Sequence, residues 1–445
     1  MTESQPPHQT APNPSPQNPS PQNLSAKTRS PKNRKLGPRP LPLHLLNATT
    51  LWLASHAGSN FLKDGLPLLK AGLEKAELGA AASALAAELE GIAPEDFAQA
   101  LDGELRGQAD VYLRGLESYR QSAYCRDLED PPCLWAEGTT RLLDYGPAGG
   151  VPLLVVPSLI NRFYILDLNS GRSLLRFLSG MGIRPLVVDW GKPGEEERQF
   201  GLTEYVAGRL EAALEAALGL TGTPVALLGY CMGGLLALAL ARRRPRAVGS
   251  LALLATPWDF HAEAAEQARL LGSLADLIGV SCAPLGEVPV DMLQVFFTGI
   301  DPFLGLKKFT RFAEMPPDSA EALEFVAIED WLNDGVPLAL PTAREALSRW
   351  YGANETGQGL WRVAGTPIRP QALNLPALVV VPAQDRIVPP ASAAALADAL
   401  PNVTRLTPAL GHIGMIVGGR AEKAVWTPLA EWVLRNSWTP GRTPL

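Results

Sequence analysis

Apolar positions along this chain change rhythm twice. Residues 1–40 carry few of them and no aromatics, and are crowded with proline, as in SQPPHQTAPNPSPQNPSPQN and SPKNRKLGPRP. Such a segment cannot offset the entropy of ordering, so a disordered tail is expected, with its two SPQN copies read as a slippage repeat. From residue 41 to about 124, apolar residues recur at spacings of three and four in LHLLNATTLWLASHAG, AAASALAAELEGIAPEDFAQALD and LRGQADVYLRGLESYR. That spacing predicts a helical N-terminal region, placed at 41–138. From about residue 139 the pattern turns to short β-rich runs separated by helical ones: RLLDYG, PLLVVPS, RPLVVDW, PVALLGYC, VGSLALLATP, ALVVVPAQD and VTRLTPA. Several are apolar on both faces, as strands in a covered, mostly parallel sheet must be. The sheet is expected to be built from 139–258 and 374–437. Between them, 259–373 is rich in aromatics and helical in period, an insertion placed to cap the sheet, and 438–445 is left as a tail.

The chemistry gathers at residues 224–242, PVALLGYCMGGLLALALAR. Residues 216–241 carry no charge, and hydropathy alone would read them as a membrane span. Gly219, Gly222, Pro224, Gly229, Gly233 and Gly234 punctuate that span, so it reads instead as strand, sharp turn and helix, with no transmembrane segment expected. Gly229-Tyr230-Cys231-Met232-Gly233 has the G-x-C-x-G spacing of a nucleophile elbow. Gly229 and Gly233 let the chain turn tightly enough to hold Cys231 in strained backbone at the sheet's C-terminal edge. The helix after it points free N–H groups at the sulfur, which favours a thiolate and, later, an oxyanion.

Composition narrows the classes. The 445 residues carry a net charge of −6, which disfavours non-specific nucleic-acid binding. Cys125, Cys133, Cys231 and Cys282 are too few and too irregular for a disulfide framework, and no C-x-x-C or H-x-x-x-H spacing suggests a metal; no cofactor is expected. No signal peptide is read at the start, and a reducing cytoplasmic setting fits.

A cysteine nucleophile needs a base and a group to orient it. Sheets with such an elbow run nucleophile, acid, histidine along the chain. Of His8, His44, His56, His261 and His412, the first three precede the sheet and His261 comes too soon after the elbow, which leaves His412 in the loop after the last predicted strand. The acid belongs at the end of the strand before, where ALVVVPAQDRIVPP places Asp385; Asp398, the rival, sits in a helical run. Each also has a plain structural reading, Asp385 as a cap and the Gly-His loop as a turn. Oxyanion donors are expected from the Met232 backbone N–H and from the loop after PLLVVPS at Leu159, Ile160 or Asn161, with Ile160 taken as the second donor. Asp189-Trp190 reads as a turn anchor, and Trp331 as core packing over tunnel lining. Arg162 and the run Arg242-Arg243-Arg244 are candidates for phosphate contact, the run reading first as a solvated helix end.

With these residues in hand, VPSLINRFYILDL, SLLRFLSGMGIRPLVVDWGKP, LLGYCMGG, LLATPWDF, VPAQDRIVPP and LGHIGMIVGGRAEKAV resemble the corresponding stretches of polyhydroxyalkanoate synthases, particularly the shorter two-subunit kind. The resemblance runs from about residue 145 to 433. It departs from the family at Met232, where Gln or Val is commoner, in the cap segment AIEDWLNDGVPLALP, and in the long tail and helical leader. The resemblance implies an α/β-hydrolase fold, a Cys231-Asp385-His412 triad, and polymerisation of (R)-3-hydroxyacyl-CoA through an acyl-cysteine with release of CoA. It further implies a growing polyester product, a second copy or a partner subunit, and a place at the granule surface. Rival readings on the same residues are a thioesterase or polyester depolymerase, and a non-catalytic granule-associated homologue.

Overall fold

The computed structural model describes residues 35–63, 87–88 and 91–437. The expected tail lies outside the described residues up to 34, as does 438–445.

Eight strands form one sheet: β1 (Cys133–Glu137), β2 (Thr140–Asp144), β3 (Val151–Val156), β4 (Ile183–Asp189), β5 (Val225–Tyr230), β6 (Val248–Leu254), β7 (Ala377–Val380) and β8 (Val403–Leu406). Their order is β1-β2-β4-β3-β5-β6-β7-β8. From β4 to β8 all neighbours are parallel, while β2 pairs antiparallel with both β1 and β4. The seven strands read from the sequence are all present. The eighth, β1, is a largely exposed edge strand, so it lacks the apolar run that marked the others. Sheet structure therefore begins at Cys133, ahead of the expected boundary at 139.

The central strands are buried on both faces because helices cover both sides, which is why they read as unbroken apolar runs. One core lies on each face: Leu227, Leu235 and Trp361 belong to one, Leu228, Trp426 and Met415 to the other. Helix α3 (Met232–Arg243) starts at the end of β5 and is buried from Met232 through Ala241, hence apolar all round.

Among the described residues the leader carries two long helices, α1 (Leu41–Lys63) and α2 (Pro94–Gln121). It is helical only to Gln121, since residues 122–132 run irregularly into β1. Residues 259–373 leave the sheet after β6 and return at β7, and carry α4 (Val290–Thr298), α5 (Leu304–Ala313) and α6 (Ala320–Asn333) besides shorter pieces. The leader packs on this cap: Tyr112, Leu116 and Tyr119 of α2 share a cluster with Phe309, Phe312 and Val326, and a Cβ on Gly115 would lie 2.0 Å from the Phe309 carbonyl oxygen. Residues 35–40, assigned to the tail on composition, are tied down. Lys35 Nζ donates 2.9 Å to the Tyr124 carbonyl and 2.5 Å to Asp330 Oδ2, and Arg39 N donates 2.7 Å to Asn333 Oδ1. Two cations with cap acceptors in reach gave that stretch partners that composition does not register.

Candidate active site

The elbow is built by glycine. A Cβ on Gly229 would lie 2.4 Å from Gly234 Cα, and one on Gly233 would lie 2.1 Å from the Val156 carbonyl oxygen and 2.5 Å from that of Pro157. Helix α3 therefore starts hard against β3. Between these glycines Cys231 takes φ 55° and ψ −128°, a region that L residues adopt at a cost of about 1–3 kcal/mol. The bend is held by Cys231 N donating 2.9 Å to the Leu254 carbonyl and by Gly234 N donating 2.9 Å to the Cys231 carbonyl. The result is a half-buried sulfur at the sheet's C-terminal edge and the N-terminus of α3.

The candidate acid and base, Asp385 and His412, come from the turns after β7 and β8. Asp385 Oδ2 accepts from His412 Nδ1 at 2.7 Å, with both side chains buried. Its Oδ1 accepts from Ile387 N and Val388 N, each at 2.9 Å. The aspartate does not cap the next helix, whose N-cap is Pro389; it closes its own turn and also holds the imidazole. That leaves Nε2 of His412 free of Asp385, and the ring shares one cavity wall with Cys231. The Tyr230 ring lies against the imidazole, centroids 5.1 Å apart, and its hydroxyl donates 3.1 Å to the His412 carbonyl. Burial alone would discharge the imidazole; negative charge at Cys231 and the bond to Asp385 outweigh it and raise His412 to about 10. Burial and the same sulfur push the Tyr351 phenol up to about 12. The rival Asp398 is exposed and paired with Arg405, and His261 bonds the Tyr351 carbonyl within the cap.

On the oxyanion side, Met232 is the first residue of α3, where N–H groups have no helical acceptor. Ile160 differs from expectation. Its N–H donates 3.2 Å to Ser158 Oγ, closing a turn, so in this conformation that amide is already engaged. The loop is otherwise braced: Trp190 Nε1 donates 3.0 Å to the Pro157 carbonyl and Trp331 Nε1 donates 2.8 Å to the Arg162 carbonyl. Asp189 anchors its turn through Arg141 at 2.6 Å and Gly191 N at 3.2 Å, as its position predicted.

Above the sulfur lies a cavity of about 480 Å³. Its walls take Cys231, His412, Ile160 and Asn161 from the core, and Phe297, Ile300, Leu304 and Trp331 from the cap. Trp331 is at once core packing and cavity wall. Sequence reasoning missed the rest of the lining: Pro38, Arg39 and His44 reach the cavity from the leader, with Lys308 and Glu329 paired at 2.7 Å in the cap. Burial and the Lys308 charge lower His44. Nothing in a one-dimensional pattern marks a histidine far upstream of the sheet as a wall of its pocket. The run Arg242-Arg243-Arg244 ends α3, opposite the helix end that carries Cys231, and is engaged there: Arg243 with Glu211 at 2.6 Å, Arg244 with Glu215, and Arg242 with the Ala372 carbonyl at 3.0 Å. These three do not line the cavity.

An eight-stranded, mostly parallel sheet whose fifth strand ends in a strained cysteine, with an aspartate and a histidine after the last two strands, defines an α/β-hydrolase-fold protein. The α/β hydrolase fold family matches residues 151–273. The chain is 30% identical over 292 residues to the poly(3-hydroxyalkanoate) polymerase subunit PhaC of Synechocystis sp., covering 64% of this chain and 77% of that one. Proteins of the same name from Allochromatium vinosum and Thiocystis violacea are 29% and 28% identical over 289 and 315 residues, covering 64% and 68% of this chain and 80% and 88% of theirs. The chain belongs to the poly(3-hydroxyalkanoate) polymerase PhaC family. Among the described residues no helix is long and apolar enough to cross a membrane.

Proposed function

We propose that this protein polymerises (R)-3-hydroxyacyl-CoA through an acyl thioester on Cys231, releasing CoA. The observation that carries the reading is the buried Asp385–His412 pair, 2.7 Å apart, meeting a strained cysteine under an apolar-walled cavity, in a chain of this family. The Cys231 sulfur attacks the thioester carbonyl, the Met232 amide receives the developing oxyanion, and CoA leaves as a thiol with a proton from His412. One thioester replaces another, so the acyl group stays activated. The 3-hydroxyl of the next acyl unit then gives its proton to His412 and its oxygen attacks the acyl-cysteine carbonyl. An ester forms and the Cys231 sulfur is released, with Asp385 steadying the imidazolium. Ile160 can supply the second donor once its amide leaves Ser158 Oγ. No cofactor enters these steps, and the cap and leader keep water off the acyl-cysteine.

Family membership and the subunit named in its relatives support action with a partner subunit, or as a homodimer, at the surface of a cytoplasmic polyester granule. The test is CoA release and polymer from 3-hydroxybutyryl-CoA, alone and with a candidate partner subunit. Polymer in step with CoA is expected; free 3-hydroxy acid in its place would make the protein a thioesterase or depolymerase, and no turnover would make it a non-catalytic homologue.

A further inference from the structure

Three arginines from distant parts of the chain edge the cavity that leads to Cys231: Arg39 just ahead of α1, Arg162 in the loop after β3, and Arg386 beside Asp385. Each faces a carboxylate of the cap. Arg39 Nε lies 2.7 Å from Asp291 Oδ1, Arg386 Nη1 lies 3.2 Å from Asp301 Oδ2, and Arg162 Nε lies 3.7 Å from Asp334 Oδ2. These are loose pairs. Each is held through one nitrogen, with at least one partner half-exposed or more, and Arg162 Nε is buried without donating a hydrogen bond. Arg184 on Asp144 shows the contrast, with a two-nitrogen fork between two well-covered side chains. A single-nitrogen exposed pair holds its partner weakly, whereas a phosphate offers an arginine fork two or more charged oxygens at once.

The polarity is consistent around the rim. In these three pairs the cation belongs to the core or the leader and the carboxylate to the cap, as also in Arg172 with Glu324 and Arg198 with Glu287 away from the cavity. An anion arriving at the rim therefore meets cations whose present partners are all carried by one element.

We infer that Arg39, Arg162 and Arg386 are the phosphate-recognising residues for the nucleotide half of the acyl thioester, and that Asp291, Asp301 and Asp334 are placeholders which the substrate displaces. The inference rests on the proposed acyl-CoA substrate and adds to it a coupling between substrate binding and the cap. While phosphates occupy the arginines, the cap loses those ties; when CoA departs, the carboxylates return and the cap settles over the acyl-cysteine. Specificity for a phosphorylated leaving group and exclusion of water then share one set of residues.

The test separates phosphate recognition from the chemistry. In the full chain carrying Cys231→Ala, CoA and pantetheine, which lacks the phosphates, are titrated calorimetrically. Arg39→Gln and Arg386→Gln are each expected to reduce the preference for CoA over pantetheine about tenfold. Arg386→Lys should retain more of that preference than Arg386→Gln. Asp301→Asn is expected to tighten CoA severalfold, since it removes a competitor for Arg386. An unmoved preference in the arginine variants, or an Asp301→Asn that weakens both ligands alike, overturns the inference. CoA binding with these signatures but no polymer from 3-hydroxybutyryl-CoA would sink the polymerase reading and leave the rim assignment standing; polymer with an unmoved preference would do the reverse.

Discussion

The Asp385 carboxylate divides its two oxygens between two tasks: Oδ2 holds His412 Nδ1 at 2.7 Å, and Oδ1 holds the amides of Ile387 and Val388 at 2.9 Å. The turn that positions the acid is thus made by the acid. His412 cannot be oriented without the same bonds that shape its neighbour's loop.

Asp385→Asn separates the two tasks. The amide oxygen still accepts from Ile387 and Val388, so the turn is retained, but the side chain no longer offers His412 a negative acceptor. CoA release is expected to drop about a thousandfold or more, with the melting temperature changed by only a few degrees. A variant with near-normal turnover would remove Asp385 from the mechanism.

Strain at Cys231 predicts opposite signs for stability and activity. Glycine adopts φ 55°, ψ −128° freely and alanine does not. Both Cys231→Gly and Cys231→Ala should abolish thioester turnover, while the glycine variant should unfold at higher temperature than the alanine one, by about 1 kcal/mol. Differential scanning calorimetry decides it, and an alanine variant at least as stable as the glycine variant would mean the bend is unstrained.

Two glycines give a matched pair. Gly233→Ala drives a methyl into the backbone oxygens of Val156 and Pro157 and should cost several kcal/mol or prevent folding, because backbone on both sides must move. Gly219, exposed in the helix Glu211–Thr221 with nothing within 4 Å of an added Cβ, should instead gain about 0.5–1 kcal/mol on Gly219→Ala. Thermal melts of the two variants beside the parent test both directions.

His412 links stability to pH. Its pKa is raised from 6.5 to about 10 on folding, so between those values the folded chain keeps a proton that the unfolded chain has released. The contribution is fully present below pH 6.5 and is lost as pH climbs through about 10, with a slope of at most about 1.4 kcal/mol per unit. Melts of the parent and of His412→Gln from about pH 6 to 10 should converge as pH rises; a gap independent of pH would contradict the assignment.

Much of this was legible in one dimension, and for a definable reason. Doubly covered parallel strands must be apolar throughout, so seven of them announced themselves, whereas the exposed edge strand β1 did not. Glycine at 229 and 233 is a backbone requirement and shows as plainly in sequence as in space. Chain order singled out Cys231, Asp385 and His412, since an elbow sheet presents successive strand ends to one edge.

Folding alone decided the rest, because its causes act between residues with no sequence relation. That Ser158 Oγ takes the Ile160 amide, that Lys35 and Arg39 bind the leader to the cap, and that His44 and Lys308 share a cavity with Cys231 are all consequences of which surfaces meet. Local pattern records the covering a residue needs and the turn it must make. It does not record which distant side chain supplies that covering, and the walls of a pocket made by leader, cap and core are of that second kind.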